Sequence, residues 1–549
     1  MGSRSWAARV GAVALLPALL ALASCGDDDG DSDGGSGSAT TAEAGPATTG
    51  SGGSTDAGAA TTAPSDVDPD GVLRIGYNLA GSGGIFFDPV QQLSPADFQV
   101  HYHVYDTLLR QREDGTYAPG LATEARVVDP QTIEVTLQEG VMFQDGTPFE
   151  ADDVAFTIER NIASQKTAPF RISELAAVAS VDVESPTELT IRLSTPTAGS
   201  FYNLLAHNET MPVSKDAVER GVDLNTNPVG AGPFKLVSQD AQRIVLEKWD
   251  GYFQADEIKV KGVEWVQADP ASLITALRSG AVDVANTTAD QNEQLAGSGL
   301  EARSVLSPNS VYWLAMQCDV NPALGDARVR QALNFATDRD AVNATAFYGK
   351  GHPMSQFWAP GNDFYDPSLE DVYTRDVAKA KQLLADAGYT DLALTLIITP
   401  GQAQRVGEIL QGQWGEAGIS LDLVPTTNIT QDFFIDHKTD LMAQPQSRFW
   451  TDKITRTFVP GSIGTTCDPR DPEFTAMVAE LRALDPDDPR AVEVWQDINR
   501  FIADHALAVF LVNGTLGNAY DPDRVGNPAW TPNQLGNLFP DMHQVYVKG

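Results

Sequence analysis

Seven histidines are the side chains of this 549-residue sequence most open to metal or proton chemistry, and they are scattered at 101, 103, 207, 352, 437, 505 and 543. Two stand close together, in His101-Tyr102-His103. A strand would put both imidazoles on one face, whereas a helix would turn them apart. We read the pair as packing or surface histidines and assign no metal. The sequence contains no H-E-x-x-H, no G-x-x-x-x-G-K-[ST] and no paired C-x-x-C, and its G-x-S-x-G string, Gly30 to Gly34, falls in an acidic, glycine-rich run. Without a nucleophile and base constellation, catalysis has nothing to build on, so the residues point to a protein that is not an enzyme and needs no cofactor.

The three cysteines divide into one and two. Cys25 stands at the seam of "LASCGDDDGDSDGG", residues 22–35. Before it, Arg4 and Arg9 lead into an apolar run from Gly11 to Ser24, the pattern of a secretory signal, and too short for the roughly 20 residues that span a bilayer. Leu22, Ala23, Ser24 and Cys25 resemble the bacterial lipobox, which makes Cys25 the expected lipid attachment point and residues 1–24 the expected signal peptide. From Gly26 to Asp70 the chain is dominated by Gly, Ser, Thr, Ala and Asp, with no Lys, Arg or aromatic residue. Such a stretch cannot bury a core, and as a flexible coil it reaches roughly 35 to 40 Å. Residues 25–70 are therefore expected to be a lipidated, disordered tether. The formal charge of −37 argues against a nucleic-acid partner. Cys318 and Cys467 remain as an even pair in an oxidising compartment, which suits a disulfide.

The residues from Gly71 onward must supply the positioning elements, and no fixed-period repeat runs through them. Thr132 to Leu137, "TIEVTL", alternates like a half-buried strand, and Asp145-Gly146 signals a turn. A helix should follow, with Asp152 and Asp153 in its first turn and Val154 and Ile158 on one face. Asp326 is an expected N-cap for a helix whose Val329, Ala332, Leu333 and Ala336 form an apolar stripe. Asp376 should cap another, lined by Ala380, Leu384 and Ala387 and stopped at Gly388. Gly230, Gly232 and Pro233 punctuate a strand entry and do not match a phosphate-binding loop. Helical and strand patterns mix irregularly, which predicts an α/β architecture.

The run "PGLATEARVVDPQTIEVTLQEGVMFQDGTPFEADDVAFTIERN" (119–161) resembles a signature of the peptide and nickel class, family 5, of extracellular solute-binding proteins of ABC importers. The likeness continues in "NPVGAGPFKLV" (227–237), "LITALRSGAVDV" (273–284), "DARVRQALNFATDRDAV" (326–342) and "YDPSLEDVYTRDVAKAKQLLADAGY" (365–389), in the family's order. The resemblance implies a periplasmic-binding-protein-like two-lobed fold, with an extra domain on the first lobe and a hinge between lobes. The first lobe's main domain would combine 71–104, 229–309 and 514–549; the extra domain would be 105–228 and the second lobe 310–513. Crossings near Pro308 to Tyr312 and near Asn513 to Thr515 would form the hinge.

What the family places at the cleft gives the candidate ligand residues: Tyr77 and Asn78 after the first strand, Tyr105 as an aromatic wall, then Trp358, Arg448, Trp450, Asp452, Arg456 and Asn513. Peptide-binding members carry an aspartate for the peptide's ammonium, often followed by Asp-Pro. Here Asp452 is followed by Lys453, and with Arg448 and Arg456 the local balance is cationic, which suits a carboxylate on the ligand. Oligopeptide-binding relatives also carry a disulfide joining regions broadly similar to those of Cys318 and Cys467. The implied function is that of a monomeric extracytoplasmic lipoprotein, anchored to the bacterial cell membrane by lipid alone. It would capture a small solute, a peptide or peptide-like molecule by family, and pass it to ABC importer permease subunits. The other readings are a ligand-sensing lipoprotein, or a binder of an anionic or aromatic non-peptide solute, a glycan or a metal chelate.

Overall fold

The computed structural model describes residues 66–549 except 80–84, 93–94, 113–115, 166–172, 270–271, 307–309, 447–453, 455–456, 459–466, 468–469, 485–487, 529 and 533–537. Cys25, the expected signal peptide and nearly all of the expected tether lie outside the described residues. Among the described residues, three larger sheets organise the chain, and no helix is long and apolar enough to cross a membrane.

The first sheet has the strand order Glu301–Leu306, Thr515–Tyr520, Val284–Thr287, Val72–Tyr77, Gly262–Gln267, Arg243–Lys248, Phe234–Gln239. Its central strand, Val72–Tyr77, runs parallel to both neighbours. Helices Leu273–Arg278 and Ala289–Leu295 cover one face through Leu273, Ile274, Leu277 and Leu295. The other face shares one continuous core with helix Pro95–Val104 and with a four-stranded antiparallel sheet of Ala122–Asp129, Thr132–Leu137, Glu188–Leu193 and Val178–Ser185. That core runs from Leu73 and Trp265 through Ile133 and Phe143 to Phe201.

The signature blocks build this body. Thr132–Leu137 is a strand with Ile133, Val135 and Leu137 inward, and Val154 and Ile158 are fully buried on helix Ala151–Gln165. Gly230 and Gly232 let the backbone pass close over Val104: a Cβ on Gly230 would lie 2.2 Å from the Val104 carbonyl oxygen, and one on Gly232 would lie 2.6 Å from the Val104 carbonyl carbon. Gln144 closes the junction, its Nε2 donating to the carbonyls of Val104, Gly232 and Phe234 at 3.1, 3.2 and 2.7 Å.

The second sheet has the order His352–Pro353, Val509–Asn513, Val311–Met316, Leu441–Gln446, Leu392–Ile398, Ile419–Pro425. All six residues of Val311–Met316, "VYWLAM", are buried because both faces are covered, as a strand inside a three-layer stack requires. Tyr312, Leu314 and Met316 face the layer of helices Ala327–Ala336, Val377–Asp386 and Gln402–Glu416. Val311, Trp313 and Ala315 face helices Pro472–Ala483 and Pro489–Asp504. Asp326 and Asp376 cap their helices as expected, accepting from the backbone N–H groups of Arg328 and Lys379. Ala387 stands at the C-cap, one residue beyond the helix whose face it was expected to line. Cys318 and Cys467 are joined by a disulfide, with Cα atoms 5.0 Å apart.

The ends of the described body meet beside the first sheet. The Gly549 N–H donates to the Asp66 carbonyl at 2.9 Å, and that of Asp68 to the Val547 carbonyl at 2.8 Å. Fully buried Asp283 holds both terminal segments, accepting from Arg74 Nη2 at 2.6 Å and from Arg524 Nε at 2.7 Å.

Candidate functional site

The chain leaves the first sheet after Leu306, enters the second at Val311 and returns at Gly514. The two crossings lie side by side, since Leu306 pairs with Thr515 in one sheet and Tyr312 with Val512 in the other. Asn513 staples them: its buried Nδ2 donates to the Ser310 carbonyl at 2.6 Å. The parallel strands of the first sheet end at Tyr77, Gln267 and Thr287, and Thr287 is paired with Gly517, two residues past the crossing strand's start. In the second sheet Gln446, opposite Val311, ends a strand running parallel to those ending at Ile398 and Pro425. The carboxyl edges of both sheets therefore point at the crossings, which is where open α/β sheets bind ligands. The two halves also touch elsewhere. Helix Ala198–Tyr202 packs against helix Pro472–Ala483, and Lys350 Nζ reaches Glu293 Oε1 at 3.0 Å.

Tyr77 stands at the carboxyl edge, partly exposed, its ring edge-on to Trp265 and its hydroxyl accepting from Gln99 Nε2 at 3.4 Å. Burial pushes its phenol up to about 12, so it stays a neutral hydroxyl. Asn78, also partly exposed, accepts from Gln267 Nε2 at 3.4 Å. Tyr105 does not form an exposed wall here; it is fully buried, edge-on to His101 and close under Gly230. Trp358 is likewise a core side chain, packed on Trp495 and Phe364. Asn513 serves the crossings, as described. Arg448, Trp450, Asp452 and Arg456 lie outside the described residues. Their stretch follows Gln446 and is flanked by fully buried Phe458, which packs on Trp313 and Phe357.

The histidine pair sits on helix Pro95–Val104, with His101 Nε2 against the Phe86 carbonyl and His103 Nδ1 against that of Gln99. Burial pulls the His103 imidazole down to about 4. Among the described residues no group of three His, Cys, Asp or Glu side chains is placed to hold a metal.

Sequence reading missed three residues at this edge: Gln99, Asn286 and Asn518. Asn286 and Asn518 are paired across neighbouring strands, and Asn286 Nδ2 donates to Asn518 Oδ1 at 2.6 Å. Asparagine is depleted in strands, so its presence in "VANT" and "TLGNAY" was the available signal.

Comparison with known proteins agrees with this geometry. Residues 116–454 match the bacterial extracellular solute-binding proteins, family 5 (middle region). The glutathione-binding protein GsiB of Salmonella paratyphi A is 30% identical over 298 residues, 53% of this chain and 57% of its own, so the match spans little more than half of that relative. In structure the chain is similar to AgaA of A. tumefaciens R10, solved with agropinic acid (TM-score 0.76, 22% identity, covering 87% of this chain and 99% of that one). It is also similar to the oligopeptide-binding protein AppA of Bacillus subtilis, solved with a nonapeptide (TM-score 0.75, 19% identity, 88% and 100%). The fold is thus the two-lobed one of periplasmic binding proteins, and the chain belongs to the bacterial extracellular solute-binding proteins of family 5.

Proposed function

We propose that this protein is a lipid-anchored extracytoplasmic receptor that binds a peptide or peptide-like solute between its lobes and delivers it to an ABC importer. The observation that carries this reading is the pair of adjacent crossings with the carboxyl edges of both sheets turned toward them. Such a hinge permits closure over a solute, and release needs a difference in affinity between open and closed states rather than any bond-making. In this reading the first lobe comprises 71–104, 229–309 and 514–549 with 105–228 as its extra domain, and 310–513 form the second lobe. Cys25 carries the lipid, and the protein acts as a monomer, without cofactor or catalysis.

Two features favour an acidic peptide as the solute. In sequence, Arg448, Lys453 and Arg456 outnumber the one carboxylate among them, Asp452, so this stretch suits a ligand carboxylate, which arginine grips with two parallel hydrogen bonds. The similarity to proteins named for glutathione, a small acidic peptide, points the same way. Mass spectrometry of small molecules released on denaturing the purified protein tests the proposal. A peptide-sized acidic solute is expected; a glycan or a metal chelate in stoichiometric amount would refute it.

A further inference from the structure

Tyr77, Asn286 and Asn518 stand on three consecutive strands at the carboxyl edge of the first sheet. Ile75 pairs with Val284 and Gly76 with Ala285, which sets Tyr77 beside Asn286, and Asn286 pairs with Asn518. Ile75 and Val284 both join the core shared with helix Pro95–Val104, and side chains two residues further along a strand return to the same face. That helix places Gln99 above Tyr77.

Each of the two outer amides is half used. Gln99, 1% exposed, spends Nε2 on the Tyr77 hydroxyl, and its Oε1 has no hydrogen-bond partner among the described residues. Asn518, 2% exposed, accepts from Asn286 through Oδ1, and its Nδ2 has none. Native structures seldom leave buried polar atoms unpaired, because each has given up water without return. Tyr77 and Asn286, between these two groups, are partly exposed, so the cluster borders an opening rather than a sealed core. One free acceptor, one free donor and a neutral hydroxyl are the complement of an N–H and a C=O. Asp97, fully buried on the same helix, already accepts from the Phe86 N–H at 2.9 Å.

We propose that Gln99, Tyr77 and Asn518 form a first-lobe subsite for one uncharged amide unit of the solute, Gln99 Oε1 accepting its N–H and Asn518 Nδ2 donating to its carbonyl. This rests on the interlobe reading above and deepens it: the second lobe would take a charged end, the first lobe a backbone amide.

The test uses the full chain and an equimolar pool of synthetic tri- and tetrapeptides, screened by thermal shift, with the best binder then measured by calorimetry. Gln99→Leu and Asn518→Ala should each weaken that peptide at least tenfold. Gln99→Glu, which keeps the acceptor, should stay within about threefold of the parent, and melting temperatures within about 2 °C serve as the folding check. Methylating the recognised amide nitrogen should weaken binding to the parent and add nothing further in Gln99→Leu. If the parent binds a peptide but both truncations bind it within twofold, or Gln99→Glu fails like Gln99→Leu, the subsite is wrong while the interlobe reading stands. If the parent binds no peptide in the pool, the peptide reading and the subsite fall together.

Discussion

Arg339 gives the sharpest test of how the second lobe holds its hinge strand. It opens helix Arg339–Ala346 and is buried without a carboxylate partner; instead its guanidinium donates five hydrogen bonds. Nε reaches the carbonyls of Met354 and Phe510, both at 2.8 Å. Nη1 reaches those of Asn334 and Tyr373 at 3.3 and 3.0 Å, and Nη2 reaches Asn334 Oδ1 at 2.6 Å. Phe510 belongs to Val509–Asn513, the strand that runs into the second crossing. Burial pulls the guanidinium down to about 10, a penalty of about 3 kcal/mol on the charged form. Five bonds from a charged donor, at roughly 1.5 kcal/mol each, outweigh it by about 4 kcal/mol. Arg339→Met should therefore cost about 4 kcal/mol. Arg339→Lys keeps the desolvated charge, and a point ammonium cannot reach acceptors on both sides of a planar fork, so it should do no better. Urea unfolding followed by fluorescence reads mainly this lobe, because Trp313, Trp358, Trp414 and Trp495 are fully buried in it, against Trp265 in the first. A lysine variant within 1 kcal/mol of the parent would refute the reasoning, since charge alone would then suffice.

The Lys350–Glu293 pair joins residues on either side of the crossings and is about half exposed, so Lys350→Ala should weaken solute binding only two- to fivefold. Repeating the calorimetry in 0.5 M salt should erase that difference, and a difference that persists would rule out an electrostatic latch. His103 is held neutral, its imidazole pulled down by burial to about 4, so its contribution is present above about pH 6.5 and is lost as pH falls toward 4. Asp153 runs the other way: burial lifts it to about 6, so its contribution is full below about pH 4 and is lost as pH rises through 6. Melting curves across pH 4–7 should flatten on the acid side for His103→Gln and on the neutral side for Asp153→Asn; identical profiles in both variants would contradict these assignments. Cys25→Ala should move the protein from the membrane fraction to the medium, and unchanged membrane retention on fractionation would exclude the lipid anchor.

Local elements were legible because local physics sets them. Asp326 and Asp376 cap helices with their own carboxylates, and the alternation in Thr132–Leu137 survives as buried and exposed faces. The crossings were an expectation of the family resemblance alone; the chain passes from one sheet to the other between Leu306 and Val311 and between Asn513 and Thr515. What escaped was whatever depends on partners distant in sequence. Arg330 and Arg339 lie inside a block read as an apolar stripe, yet both are buried among carbonyls, those of His505 and Ala506 for the first and of Phe510 for the second. Tyr105 has the residue type of a cleft wall, but the glycines at 230 and 232 bring the backbone down onto Val104 and seal it into the core. Asn518 stood out only as an asparagine in a strand pattern, and Gln99 carried no signal until the sheet register set that strand and its helix at one edge.

The meeting of Asp66 and Gly549 makes the body mechanically one-sided. A surface, a resin or a fused partner attached at either end pulls on the same lobe, through strands pinned by Arg74, Asp283 and Arg524. In the hinged reading proposed above, the other lobe bears no load and keeps its freedom to swing about the two crossings. Tethering by either end should therefore leave solute capture intact. A short peptide joining 549 to 66 would let new ends be opened in the second lobe, turning the swing into a change in distance between two attached dyes.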